Sequence, residues 1–70
     1  MLNQIIGKQI RDQRLLLKIT QNDLSEISGI SLRTIKAIEK GKGNPTVETL
    51  NRVLEPLGLT LITAQRIKHE

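Results

Sequence analysis

The sequence predicts an all-α domain of four short helices that ends in one short β-strand. Apolar residues recur at helical spacing from Leu2 to Leu57, and hydroxyl residues stand where three of those runs begin. After Gly58 the period shortens to two. Seventy residues form one small domain, which buries only about 60% of its unfolded surface. Ten Ile, eleven Leu and two Val must supply the core, since there is no aromatic residue and no cysteine. Without a disulfide or thiolate metal site, association of two copies is the common remaining way to stabilise so short a chain.

The first helix is expected over residues 2–17, with Leu2, Ile6, Ile10 and Leu17 near one face and Ile5 and Leu16 flanking it. Lys8, Arg11, Asp12 and Lys18 fall largely on the other side. Gly7 lowers helix propensity, so a loose first turn is expected. Thr20 then reads as an N-cap, with Asp23 placed to complete a capping box. Leu24 and Ile27 are the apolar residues of this second helix, and Ser28-Gly29 ends it, because glycine takes positive φ at little cost. Ser31 caps a third helix over 32–40, with Ile35 and Ile38 facing inward. Leu32, Arg33, Lys36 and Ala37 lie on or beside its outer face. The run "GKGNP" stops it. Thr46 caps a fourth helix carrying Val47, Leu50, Val53, Leu54 and Leu57, with Pro56 in its last turn.

The tail alternates Leu59, Leu61 and Thr63 with Thr60, Ile62 and Ala64, as a strand does. A single strand would leave its backbone N–H and C=O groups unpaired. The same strand from a second copy, antiparallel about a two-fold axis, would pair them. The other reading is an apolar tail folded back on the helices. The expected organisation is therefore a helical domain over 1–58, a dimerising strand over 59–67 and a tail over 68–70.

Eleven basic residues against seven acidic give a net charge of +4. Much of that excess lies in residues 31–42, where Arg33, Lys36, Lys40 and Lys42 face only Glu39. Such a cluster is either a solvated face or a nucleic-acid footprint. Absent aromatics argue against RNA or single strands bound by base stacking. Two short helices joined through a glycine describe either an ordinary helical hairpin or a helix-turn-helix, whose second helix can enter the major groove of DNA. Catalysis is not expected. The only histidine is His69, and Ser25, Ser28 and Ser31 have no plausible base. No metal, cofactor or small-molecule site is expected either. The run "LLL" at 15–17 is far too short to span a bilayer, and the first residues lack the order of a signal peptide. The expected location is the cytoplasm, at the nucleoid.

The stretches "TQNDLSEISGIS" and "RTIKAIEKGKGNPTVETL", with Arg14 and Leu17 before them, resemble the Xre/Cro-like helix-turn-helix proteins of phage repressors and bacterial regulators. The resemblance covers residues 3–58. It implies a lambda-repressor-like fold and double-stranded operator DNA as partner. By the same resemblance Ser31, Leu32, Arg33, Lys36 and Ala37 face the groove. Arg33 is the best base reader, since a guanidinium can donate two bonds to guanine. Leu32 and Ala37 would pack on thymine methyls. Gln21, at a helix start suited to anions, would meet a phosphate, as would Thr34, Lys40, Lys42 and Asn44. Arg14 and Glu39 match a pair that in similar repressors is a buried ion pair; a surface pair is the other reading. Ile27 replaces the charged residue often found at its position. Leu32 offers less hydrogen bonding than a glutamine, so shape readout is expected to contribute.

The tail "GLTLITAQ" resembles antitoxins of the HipB kind, in which this strand pairs across a homodimer. That resemblance implies a repressor of its own operon whose protein partner is a kinase-like toxin. Two other functions fit the same residues. One is a stand-alone regulator, of phage type or controlling a restriction-modification system. The other is a protein-interaction module with secondary DNA binding, using apolar residues of helices one and four and the tail.

Overall fold

The computed structural model describes residues 2–62. Its helices are α1 (Leu2–Leu16), α2 (Gln21–Ser28), α3 (Leu32–Glu39) and α4 (Val47–Leu54), followed by a 3-10 turn at Glu55–Leu57. Three of the four starts are capped by the expected hydroxyls. Thr20 Oγ1 accepts from Asp23 N at 2.9 Å, and Asp23 Oδ2 accepts from Thr20 N at 2.9 Å, so the capping box closes both ways. Ser31 Oγ accepts from Thr34 N at 3.2 Å and Thr46 Oγ1 from Thr49 N at 3.1 Å. Each bond satisfies one of the amides that a helix start leaves orphaned.

Helix ends differ more from expectation. α1 stops at Leu16, because Lys18 turns the chain with φ 59. Lys18 N donates to Leu15 O at 3.0 Å and Ile19 N to Arg14 O at 3.2 Å, the two bonds of a Schellman ending. α4 stops at Leu54, and Pro56, which has no N–H to continue the ladder, tightens the next turn to 3-10.

Ile10, Leu24, Ile35, Ile38, Leu50, Val53, Leu54 and Leu57 form the core, with Ile6, Ile19, Ile30, Leu59 and Leu61 packed partly against it. α3 lies between α1 and α2, while α2 also packs on α4. Several apolar residues that set the expected helical periods are exposed: Leu2, Leu17, Ile27 and Val47. Leu17 lies beyond the end of α1, where the helical phase is lost. The buried side of α1 is instead Gly7, Ile10 and Arg14, spaced three and four apart.

The expected looseness at Gly7 is also corrected. A Cβ there would stand 2.3 Å from Ile38 O, so the glycine allows α1 to press against the backbone of α3. Asn3 Nδ2 donates to Gly43 O at 3.3 Å and Gln13 Nε2 to Leu57 O at 3.0 Å, which tie α1 to the loop after α3 and to the 3-10 turn.

No strand occurs among the described residues. Leu59, Thr60, Leu61 and Ile62 carry no ladder, and Leu59 N donates back to Leu54 O at 3.0 Å. A strand exists only through a partner's hydrogen bonds. Thr63, Ala64 and the rest of the expected 59–67 segment lie outside the described residues.

Hydrogen bonds from the Thr20 backbone and side chain hold the Asp23 carboxyl below its ordinary range. A carboxyl depressed on folding stabilises the fold above its unfolded pKa. That contribution is lost as pH falls through the lower folded value. Asp12 is lowered in the same direction by its hydrogen bond to Lys8, so an Asp23→Asn variant is needed to isolate the cap. Urea midpoints recorded from about pH 5 to pH 2 should fall less in Asp23→Asn than in the unsubstituted chain. Parallel losses would place the acid sensitivity elsewhere.

Candidate nucleic-acid interface

The turn between α2 and α3 is closed by Gly29 in the left-handed region and locked by two serines. Ser25 Oγ donates to Ile30 O at 2.6 Å, and Ser28 Oγ accepts from Ile30 N at 3.2 Å. In the sequence Ser28 marks the end of the second helix and both serines lack a plausible base, and neither reading includes this role. Their position two and five residues before Ile30, across a glycine turn, was the available sign of this role. The lock sets the angle at which α3 leaves α2.

α3 buries Ile35 and Ile38 and leaves Arg33 and Lys36 exposed, with Leu32 and Ala37 half-buried. Ser31 is exposed, but its hydroxyl is engaged. Its oxygen caps the helix, and its proton goes to Thr34 Oγ1 at 2.9 Å. Ser31 and Thr34 therefore shape the start of α3 before they can meet any partner.

Beyond α3 the chain folds back on itself. Gly41 N donates to Ile38 O at 2.9 Å and Lys42 N to Ala37 O at 2.9 Å, a second Schellman ending, with Gly41 at φ 74. Any side chain at Gly41 would also meet Gln4, 2.7 Å from the Cβ position. This ending brings Lys42 and Asn44 alongside the helix. Arg33, Thr34, Ala37, Lys42 and Asn44 consequently line one shallow groove between α3 and the following loop. Lys36 and Lys40 are exposed outside that groove.

Among the described residues, the three ion pairs use Lys8, Arg14 and Arg52 as their cations. Arg33, Lys36, Lys40 and Lys42 are in none of them. Four exposed cations on one helix and its loop, none paired with a carboxylate of the described residues, make a surface suited to a polyanion.

The acid within this segment is turned inward. Glu39 Oε2 accepts from Arg14 Nε at 2.7 Å, and Oε1 accepts from Arg14 Nη2 at 3.1 Å. Arg14 Nη1 donates to Ile19 O at 3.0 Å. The side chains of this pair are only 10% and 3% exposed, Arg14 first. The Glu39 hydrogen bond raises the Arg14 pKa above its ordinary value, against the effect of burial, so the guanidinium keeps its charge. Gln21, expected at a phosphate, is half-buried and donates from Nε2 to Glu39 Oε1 at 3.1 Å.

A family model described as helix-turn-helix matches residues 10–63, most of the chain. The chain belongs to that family. An HTH-type transcriptional regulator of Haemophilus influenzae is 43% identical over 63 residues, covering 89% of this chain and 64% of that protein. The cryptic phage CTXphi transcriptional repressor RstR of Vibrio cholerae is 32% identical over 56 residues, covering 80% of this chain and 50% of the repressor. The HTH-type regulator RghRB of Bacillus subtilis is 44% identical over 48 residues, covering 67% and 34%. The helix-turn-helix chain thus spans less than two thirds of each of these relatives. No helix among its described residues is long and apolar enough to cross a membrane.

Proposed function

We propose that this helix-turn-helix chain is a dimeric transcriptional repressor that reads operator DNA with α3. The cations Arg33, Lys36, Lys40 and Lys42, set on α3 and its following loop and in no ion pair among the described residues, carry the reading. α3 lies in the major groove, where Arg33 donates to guanine and Leu32 and Ala37 pack on thymine methyls. Lys36 extends from the same exposed face, and Ser31 offers its remaining lone pair. Thr34, Lys40, Lys42, Asn44 and Gln21 meet phosphates, which fix register without reading sequence. Two copies place their α3 helices at half-sites about 34 Å apart.

Arg33→Ala should abolish preference for operator over random DNA, while Lys42→Ala should weaken both alike. Titration at several salt concentrations also separates DNA binding from an apolar protein interface. The logarithm of affinity should fall by about 0.9 per neutralised phosphate for each decade of salt. Equal loss on both DNAs for Arg33→Ala would remove its base-reading role.

The likeness to the phage repressor RstR supports a stand-alone regulator. A second reading, an antitoxin that also holds a kinase-like toxin, draws on the alternation in Leu59–Ala64. A groove beside α1 adds to it, lined by Ile6, Leu16, Leu54, Leu59, Leu61 and Ile62 together with the polar Gln9, Asp12, Gln13 and Thr60. A pull-down from nuclease-treated extract separates the two. A kinase-sized protein in near-equal amount establishes the antitoxin, and the repressor alone establishes the stand-alone regulator.

A further inference from the structure

Three helices meet at one carboxylate. Glu39, on α3, receives Arg14 from α1 through both oxygens and Gln21 from α2 through Oε1. A carboxylate only accepts hydrogen bonds, so it selects the nitrogen of the Gln21 carboxamide rather than its oxygen. That nitrogen carries a second N–H, which has no acceptor among the described residues. Glu39 is followed directly by Lys40, so this amide sits beside the basic end of α3.

We propose that Arg14 and Glu39 are positioning residues for DNA binding, acting through Gln21. Glu39 holds the carboxamide by one N–H, and the other is thereby aimed at a backbone phosphate. Arg14 supplies the second half of the device. A lone carboxylate at this place would repel the phosphate, and the guanidinium beside it cancels that charge. The pair that locks the helices together thus also makes an anion site usable next to a buried acid. This inference rests on the DNA reading above.

The test uses a random-sequence duplex, because a phosphate contact carries no sequence information. Gln21→Ala should weaken binding about tenfold, the effect of one hydrogen bond to a charged group. The double variant Arg14→Met/Glu39→Met replaces a buried pair by apolar side chains, a change that folds often tolerate. With its fold checked by thermal melting, it should show the same tenfold loss. Adding Gln21→Ala to it should then cost nothing more. A full Gln21→Ala penalty in that background overturns the proposal, as does unchanged affinity of the double variant.

Should the double variant not fold, the unsubstituted chain carries the test by NMR. One Gln21 side-chain amide proton should lie close to Arg14 and stay in place when duplex is added, while the other shifts. Two protons that shift alike overturn the proposal. A chain that binds no duplex at low salt overturns the DNA reading and this inference together. DNA binding that is indifferent to Gln21→Ala overturns the inference alone.

Discussion

Replacing Glu39 by alanine should lower the stability of the domain by about 3–5 kcal/mol, the cost of leaving one member of a buried ion pair unpartnered. Arg14 would retain only its bond to Ile19 O, at 3.0 Å, while remaining walled off from water. A solvent-exposed pair of the same two residues would contribute under about 1 kcal/mol. Geometry decides between these magnitudes. The contact is bidentate, and the Glu39 side chain is 3% exposed. Gln21 satisfies a further lone pair of Oε1. A domain of this size has little stability in reserve, about 5 kcal/mol or less. Glu39→Ala should therefore be largely unfolded at physiological temperature. Urea titration followed by circular dichroism would show it. A loss below about 1 kcal/mol would mean that water reaches the pair in solution, and Gln21 would then have no fixed acceptor.

Most of what positions the site is legible in the sequence. Thr20, Ser31 and Thr46 announced helix starts because a short hydroxyl side chain can reach the third amide beyond it. Ile35, Ile38, Leu50, Val53 and Leu54 followed the helical period into the core. The grouping of Arg33, Ala37, Lys42 and Asn44 depends on the chain reversal at Gly41, where the sequence shows only that "GKGNP" stops the helix. What hydrophobic periodicity could not show was the buried side of α1. That side is built from a glycine, an isoleucine and an arginine, and only one of these counts as apolar. The expected face holds for Ile10, which is buried, and for Ile6, which packs against the core, but burial turns from there toward Gly7 and Arg14 and leaves Leu2 and Leu17 exposed. The tie from Gln21 to Glu39 was equally hidden, since it joins residues 18 apart through side chains rather than through any repeat. The strand expected over Leu59–Ala64 is a different case. Alternation expresses a tendency to be extended, and a partner must supply the hydrogen bonds that turn it into a strand.

Gly7 is where the close approach of α1 to α3 has its largest energetic consequence. In an ordinary exposed helix, Gly→Ala would gain about 1 kcal/mol through helix propensity. Here the new Cβ would lie 2.3 Å from Ile38 O and 3.0 Å from Glu39 O. Both obstacles are backbone atoms, so no rotamer change relieves the clash, and α1 must lift away from the end of α3. Overpacking of this kind costs about 1–3 kcal/mol, and more where the backbone itself must move. The steric cost should win, leaving Gly7→Ala about 2 kcal/mol less stable than the unsubstituted chain. Lifting α1 also draws Arg14 from Glu39, since Gly7 and Arg14 share the buried side of that helix. The penalty of Gly7→Ala should accordingly shrink in the Arg14→Met/Glu39→Met background, where no ion pair remains to be strained. Urea midpoints of the four chains close that cycle. A net gain near 1 kcal/mol for Gly7→Ala would mean that α1 stands off α3 in solution, and an arginine carried on α1 could not then hold the acid that aims Gln21.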